Sequence, residues 1–266
     1  MPAAKRYLTF SDGRRIPNPM LNGFRGFKSI DYRNRARCSP LKSKSMTSSK
    51  PVTFNWLDKN VLSEIRFQGN CGSCWLFNAR DLAETYYRIW NNIELDRKYY
   101  NSKNIHLGEQ EALSCSSFGC EGGFPLESLN WLTHIGLPDV RTAPYKPRWN
   151  PNEECRANKA IFKIPSFCIV TELSRSRNFQ DAIKTLLLDH GPILAAIEAT
   201  RIQNLRGPFN GYMNRRLNHA LMLVGWDENY WIFKNSWGLN HGIDGYLYMG
   251  KSVNCGIELM LSFPTK

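Results

Sequence analysis

Apolar positions change their spacing along this 266-residue chain and divide it into three kinds of text. Residues 1–50 show no sustained apolar periodicity and end in the polar run SKSMTSSK, which reads as a linker. From Cys74, the run CWLFNARDLAETYYRIW sets Trp75, Leu82, Tyr86 and Ile89 at helical spacings and predicts a helix of about four turns. A shorter helix is expected over 126–135, where Leu126, Leu129, Trp131 and Leu132 are apolar. Another is expected over 178–189, before the helix-ending pair Gly191-Pro192. Beyond it, ILAAIEA, HALMLVGW, NYWIFKNSW and GYLYMG are short β-rich runs bounded by Gly and Asn. Helices in front and strands behind predict an α+β protein of two lobes, a helical one over about 51–165 and a β-rich one over about 166–266.

Composition adds a core without a membrane span. Apolar residues make up 42% of the chain, and no stretch approaches the roughly 18 apolar residues a spanning helix needs. The opening MPAAKRYLTFSDGRRIPNP has no apolar h-region, so no signal peptide is visible in it. The net charge of +12 is concentrated: residues 1–50 hold twelve Lys/Arg against Asp12 and Asp31, leaving only +2 for the rest. A basic arm of this kind suits nucleic acid, an anionic surface or an acidic face of its own protein. Eight cysteines, at 38, 71, 74, 115, 120, 155, 168 and 255, suit disulfides in an oxidising compartment, or buried thiols elsewhere. The absence of any N-x-S/T sequon points instead away from a glycosylating secretory route.

Candidate chemistry begins at Cys74, at the start of the first expected helix. Unpaired N–H groups and the positive end of the helix dipole favour a thiolate there. A thiolate used as a nucleophile needs a counter-cation and a proton donor for the leaving amine, and histidine supplies both near neutral pH. Cys71 and Cys74 taken alone equally allow a buried thiol, a disulfide, a redox pair or half a zinc site.

The neighbouring sequence narrows these choices. QGNCGSCW resembles the nucleophile signature of papain and the lysosomal cathepsins, LNHALMLVGW their histidine segment and NYWIFKNSWG their asparagine segment. His219 lies 145 residues after Cys74, within the separation of about 130–150 expected of that family. The resemblance runs from about Phe54 to about Met260 and implies a two-lobed papain-like fold with the active-site cleft between the lobes. It implies a cysteine endopeptidase needing no cofactor or metal, expected as a monomer acting on peptides or proteins. By the same resemblance Cys74 is the nucleophile, His219 its base, Asn235 the group that orients the imidazole, and Gln68 an oxyanion donor with the Cys74 N–H. Trp237 would cover the His–Asn bond.

Other positions follow the same resemblance. In FGCEGGF, Gly122 and Gly123 match the Gly-Gly segment beside the substrate strand, with Gly123 leaving room for the substrate backbone. Phe124, Pro125, Ala196, Leu217 and Ala220 match the walls, and Met260 the floor, of a pocket for the residue two before the cleaved bond. An all-apolar pocket with a pliable floor favours bulky apolar side chains. His241 stands where relatives carry a second tryptophan; His106, His134 and His190 read as surface or helix-end groups. The paired histidines of cathepsin B and the insertion of cathepsin X are missing, which makes an endopeptidase the default. The resemblance pairs Cys71 with Cys120 and Cys115 with Cys155, and leaves Cys255 either free or joined to Cys168.

Residues 1–50 lack the helical ERFNIN pattern of long propeptides and fit a short, extended pro-segment of the cathepsin B or X kind, inhibiting its own cleft. Within it, Cys38 is either an unpaired cysteine or a redox lock on Cys74. The setting implied is lysosome-like, extracellular or virion-packaged. Two rival readings remain: a non-catalytic papain-fold binding module, and a protease whose basic arm tethers it to nucleic acid or an anionic surface.

Overall fold

The computed structural model describes residues 7–10, 15–17, 49–95, 104–116, 118–148, 156–157, 159–170, 173, 178–214, 216–253 and 255–266. One long helix, α1 (Cys74–Asn91), lies against a mixed-origin antiparallel sheet, and both expected helix positions further on are filled within one residue. These are α3 (Pro125–His134) and α4 (Phe179–His190); a six-residue helix, α2 (Gln110–Cys115), was not expected from periodicity. Six residues give too few repeats for a 3.6-residue pattern to stand out. Asn92 ends α1 in the left-handed region (φ 53°), its N–H bonding back to the Arg88 and Ile89 carbonyls.

The sheet order is β5 (Ser166–Val170), β10 (Leu261–Thr265), β6 (Ile193–Ile197), β7 (His219–Trp226), β8 (Tyr230–Lys234) and β9 (Tyr246–Gly250). A two-residue strand, β3 (Phe54–Asn55), pairs with the far end of β7, so the front of the domain also contributes to the sheet. Register there depends on Gly225, where a Cβ would stand 2.3 Å from the Phe54 carbonyl oxygen, and β7 shifts register against β8 between Leu223 and Gly225. Pro264 is tolerated inside β10 because β6 pairs only with Leu261 and Ser262, so no ladder bond is demanded of the proline. The expected strand NYWIFKNSW stops at Lys234, and Asn235, Ser236 and Trp237 leave the sheet. Every residue of β6 and β7 is buried, which explains their continuous apolar text.

A second, three-stranded sheet involves the basic arm. Strand β1 (Tyr7–Phe10) pairs antiparallel with β2 (Arg15–Pro17) and parallel with β4 (Arg156–Ala157), matching Thr9 to Arg156 and Phe10 to Ala157. The described part of the arm is thus extended and joined to the body through β4.

Helix α3 carries a buried acid in its first turn. Glu127 is 6% exposed, and its Oε2 finds no hydrogen-bond partner among the described residues. Burial pushes this carboxyl up to about 8. A raised folded value means the contribution is complete below the unfolded value near 4.5 and is lost as pH rises through about 8. Glu127→Gln is therefore expected to leave stability unchanged at pH 4 and to add roughly 2–4 kcal/mol near pH 8. Urea unfolding at the two pH values checks this; equal effects at both would sink it.

Candidate active site

Cys74 opens α1, where first-turn amides lack intrahelical acceptors. Its thiol is free and half-buried. Burial pushes the thiol up, while N–H groups of Ala220, Trp75 and Cys74 itself pull it down. Ala220 is the chain neighbour of His219, so the start of β7 is brought to the helix start.

His219 is 5% exposed and its Nε2 lies 2.7 Å from Asn235 Oδ1. The same oxygen accepts the Ser236 N–H at 2.8 Å. Asn235 follows β8 and is fully buried. Burial lowers His219 to about 4, opposed by the Asn235 bond. The Trp237 ring covers His219 at 4.2 Å between centroids and 31° between planes. Gln68 is held on three sides: its N–H donates to Ser236 O at 2.9 Å, its Oε1 accepts the Ser236 hydroxyl at 2.7 Å, and its Nε2 donates to Cys71 O at 2.7 Å. One of the two Nε2 protons remains for another acceptor.

Three contributors were not singled out in the sequence. Asn78, one turn after Cys74, has its Nδ2 within reach of Cys74 O (3.0 Å), Ala220 O (2.9 Å) and Ser236 Oγ (3.3 Å), joining helix to sheet. Ser236 links Gln68 to Asn235 through the contacts above. Tyr145 donates its hydroxyl proton to Gln68 O at 2.7 Å. The available signal for Asn78 was an amide inside an otherwise apolar stretch of helix.

Cys71 and Cys120 form the expected disulfide, fixing the loop before Cys74 to the Gly-Gly segment. Cys255 is a free, buried thiol and Cys168 is disulfide-bonded elsewhere, so the Cys168–Cys255 alternative is corrected: the two sulfurs do not meet. Cys115 is also disulfide-bonded, but Cys155 lies outside the described residues, as does Cys38. The Cys74 sulfur is unbonded in this structure, and the expected redox role of Cys38 falls on a residue outside those described.

The residues expected to wall the pocket come from both halves of the chain. Ala196 and Ala220 are direct partners in β6 and β7, and Ala196 N–H donates to Met260 O at 3.4 Å. Leu217 (37% exposed) precedes β7, while Phe124 (48%) and Pro125 stand at the start of α3. Packing adds its own reason for a glycine at Gly123. A Cβ there would strike the Trp75 indole at 2.5 Å, so its bareness serves packing; Gly122, at φ 108° with nothing within 4 Å, faces the open space. A cleft of about 590 Å³ is lined by Trp237 together with Phe67, Asn70, Arg206 and His241 among others.

Comparison with known proteins agrees with this geometry. The papain family cysteine protease profile matches residues 50–265. Ananain of Ananas comosus is 28% identical over 232 residues, covering 82% of this chain and 62% of ananain. Cathepsin O of Homo sapiens is 30% identical over 249 residues, covering 87% and 73% respectively. The Carica candamarcensis cysteine protease solved in complex with E-64 aligns at a TM-score of 0.67 with 30% identity, over 82% of this chain and 99% of that one. The chain therefore belongs to the papain family of cysteine proteases. It spans under two thirds of the length of ananain.

Proposed function

We propose that the chain is a cysteine endopeptidase in which Cys74 attacks the peptide carbonyl and His219 moves the proton. The observation that supports this best is the 2.7 Å contact of His219 Nε2 with Asn235 Oδ1. An amide oxygen only accepts, so Nε2 holds the proton and Nδ1 is left as the base. Burial opposes charge on Cys74 and His219 taken singly, so the two ionise together by proton transfer from Sγ to Nδ1. The thiolate adds to the carbonyl carbon, and the resulting oxyanion takes the Cys74 N–H and the spare Gln68 Nε2–H. The C–N bond then breaks as the amine takes the His219 proton. Water, deprotonated by His219, releases the acid from the thioester.

Ala196, Ala220 and Met260, together with Phe124, Pro125 and Leu217, are read as an apolar pocket for the side chain two before the cleaved bond. The disulfide supports an oxidising setting, lysosome-like, extracellular or virion-packaged. E-64, present in the Carica complex, is the probe. One molecule should add per chain, at Cys74, and abolish cleavage of internal bonds that follow Leu, Phe or Val at that second position. Label on another residue, or cleavage persisting after full labelling, would end the assignment.

Residues 1–50 are read as a removable inhibitory segment. Support comes from their charge of +10 and from the extended β1–β2 hairpin joined to β4. A chain beginning at Pro51 should cleave peptides at least ~10-fold faster than the full chain, since a tethered segment acts at high effective concentration. Equal rates, together with salt-dependent binding of the 1–50 peptide to nucleic acid or anionic vesicles, would favour the tether instead.

A further inference from the structure

His241 stands behind the asparagine of the site, in the loop between β8 and β9. Its main chain is fixed by bonds from His241 N–H to Gly238 O (3.3 Å) and from Gly245 N–H to His241 O (3.0 Å). The ring is 5% exposed and meets the edge of Trp237 at 4.7 Å. Its two nitrogens have opposite partners. Nε2 lies 2.7 Å from the Ile202 carbonyl oxygen, which can only accept. Nδ1 lies 3.2 Å from Asn235 Nδ2, which can only donate. Both contacts are satisfied by one form alone, the neutral ring with its proton on Nε2.

A single chain of donors follows: His219 Nε2–H to Asn235 Oδ1, Asn235 Nδ2–H to His241 Nδ1, and His241 Nε2–H to Ile202 O. We propose that His241 is a positioning residue: its Nδ1 lone pair holds the Asn235 amide in the orientation that keeps the His219 proton on Nε2, and protonation of His241 releases that hold.

The chemistry of release is simple. Protonated His241 presents Nδ1–H to Asn235 Nδ2–H, donor against donor. Turning the amide over satisfies His241 but offers its NH₂ to His219 Nε2–H and sets its oxygen away from Ser236 N–H. His219 can then accept the amide only by moving its proton to Nδ1, which removes the base that faces the nucleophile in the proposed mechanism. The groups acting on His241 are few among the described residues. Burial lowers its proton affinity, the Ile202 carbonyl raises it and Arg206 lowers it, while His219 and His241 disfavour each other's charge. Arg206 and His241 line the same open cleft, which gives solvent protons a route to the ring.

The inference rests on the proposed peptidase reading, and its test separates the two. Leu and Asn are nearly equal in shape, and neither reaches Ile202 O as the ring does; only Asn offers an oxygen where Nδ1 was. His241→Leu should lower kcat by about 10- to 100-fold with KM little changed, the cost of one lost orienting bond. His241→Asn should recover most of that loss and should move the acid limb of the kcat profile to lower pH, since amides do not titrate. Equal losses in both variants, or an acid limb unmoved in Asn, would overturn the proposal in favour of simple packing. Should either variant fail to fold, ¹⁵N spectra of the imidazoles in the full wild-type chain decide the matter. A neutral His241 with its proton on Nε2 at neutral pH supports the proposal, and a proton on Nδ1 there overturns it. That spectrum is independent of turnover, so a folded chain beginning at Pro51 that fails to cleave peptides would end the peptidase reading, while the imidazole spectrum alone decides this one.

Discussion

Cys74→Ala is expected to lower kcat/KM by roughly 10⁴- to 10⁶-fold while leaving thermal unfolding nearly unchanged. The sulfur is unbonded and half-buried, so its loss removes little packing and no cross-link. His219→Ala should cost a comparable factor. Its removal leaves Asn235 Oδ1 still accepting the Ser236 N–H, so no buried group is orphaned on that side. The double variant should lose no more than either single one, because the proposed nucleophile and base would act as one unit. Purified single and double variants assayed on one peptide, alongside melting curves, give the answer. Substantial turnover in either single variant, or losses that multiply in the double, would show that the site has been assigned to the wrong residues.

Lys234→Met should give the largest loss of stability away from the chemistry, about 3–5 kcal/mol at neutral pH. Lys234, on β8, donates to the Asp81 carboxylate of α1, and both are at most 1% exposed. Asp81 also meets Arg80 at 2.6 Å; Arg80 reaches Glu84 and Glu109, each at 3.4 Å, and Arg88 reaches Glu84 at 3.6 Å. Three buried cations thus face three buried anions. Removing Lys234 leaves a negative charge in excess where water does not reach, and Met restores the volume without the charge.

The pH dependence has a definite sign. Burial raises Asp81, but Arg80 and Lys234 outweigh it and hold the carboxyl below its usual range. A depressed value gives stability that is present above the unfolded value near 3.8 and lost as pH falls through the folded one. The penalty for Lys234→Met should therefore shrink in acid, where Asp81 takes up a proton, and Asp81→Asn added to it should recover part of the loss. Urea midpoints at pH 7 and pH 3.5 test both statements. A penalty equal at the two pH values would mean that Lys234 contributes by its methylenes alone. Lys234 is the chain neighbour of Asn235, so the same buried pair also anchors the strand end from which the site's asparagine projects.

By itself the sequence determined the helices of ten or more residues, the strands of continuous apolar text and the family, because these are written locally or in fixed motifs. Periodicity located α1, α3 and α4 within a residue or so, and QGNCGSCW, LNHALMLVGW and NYWIFKNSWG located Cys74, His219 and Asn235. The two-residue β3, the six-residue α2 and the strands β5 and β10 were not legible there, since short elements take their conformation from partners far away in the chain. Tertiary structure alone decided the rest. It showed that α1 is buried on nearly every side, charged residues included, which an amphipathic reading of CWLFNARDLAETYYRIW does not suggest. It set Gly123 against Trp75 and Gly122 against open space, parted Cys255 from Cys168, and placed His241, which stands where relatives carry a second tryptophan, against the Asn235 amide. The physical reason is common to these cases. A side chain's spacing in sequence reports which way it faces, whereas its charge, its proton and its hydrogen-bond partner are set by atoms that only folding brings within 3 Å or so.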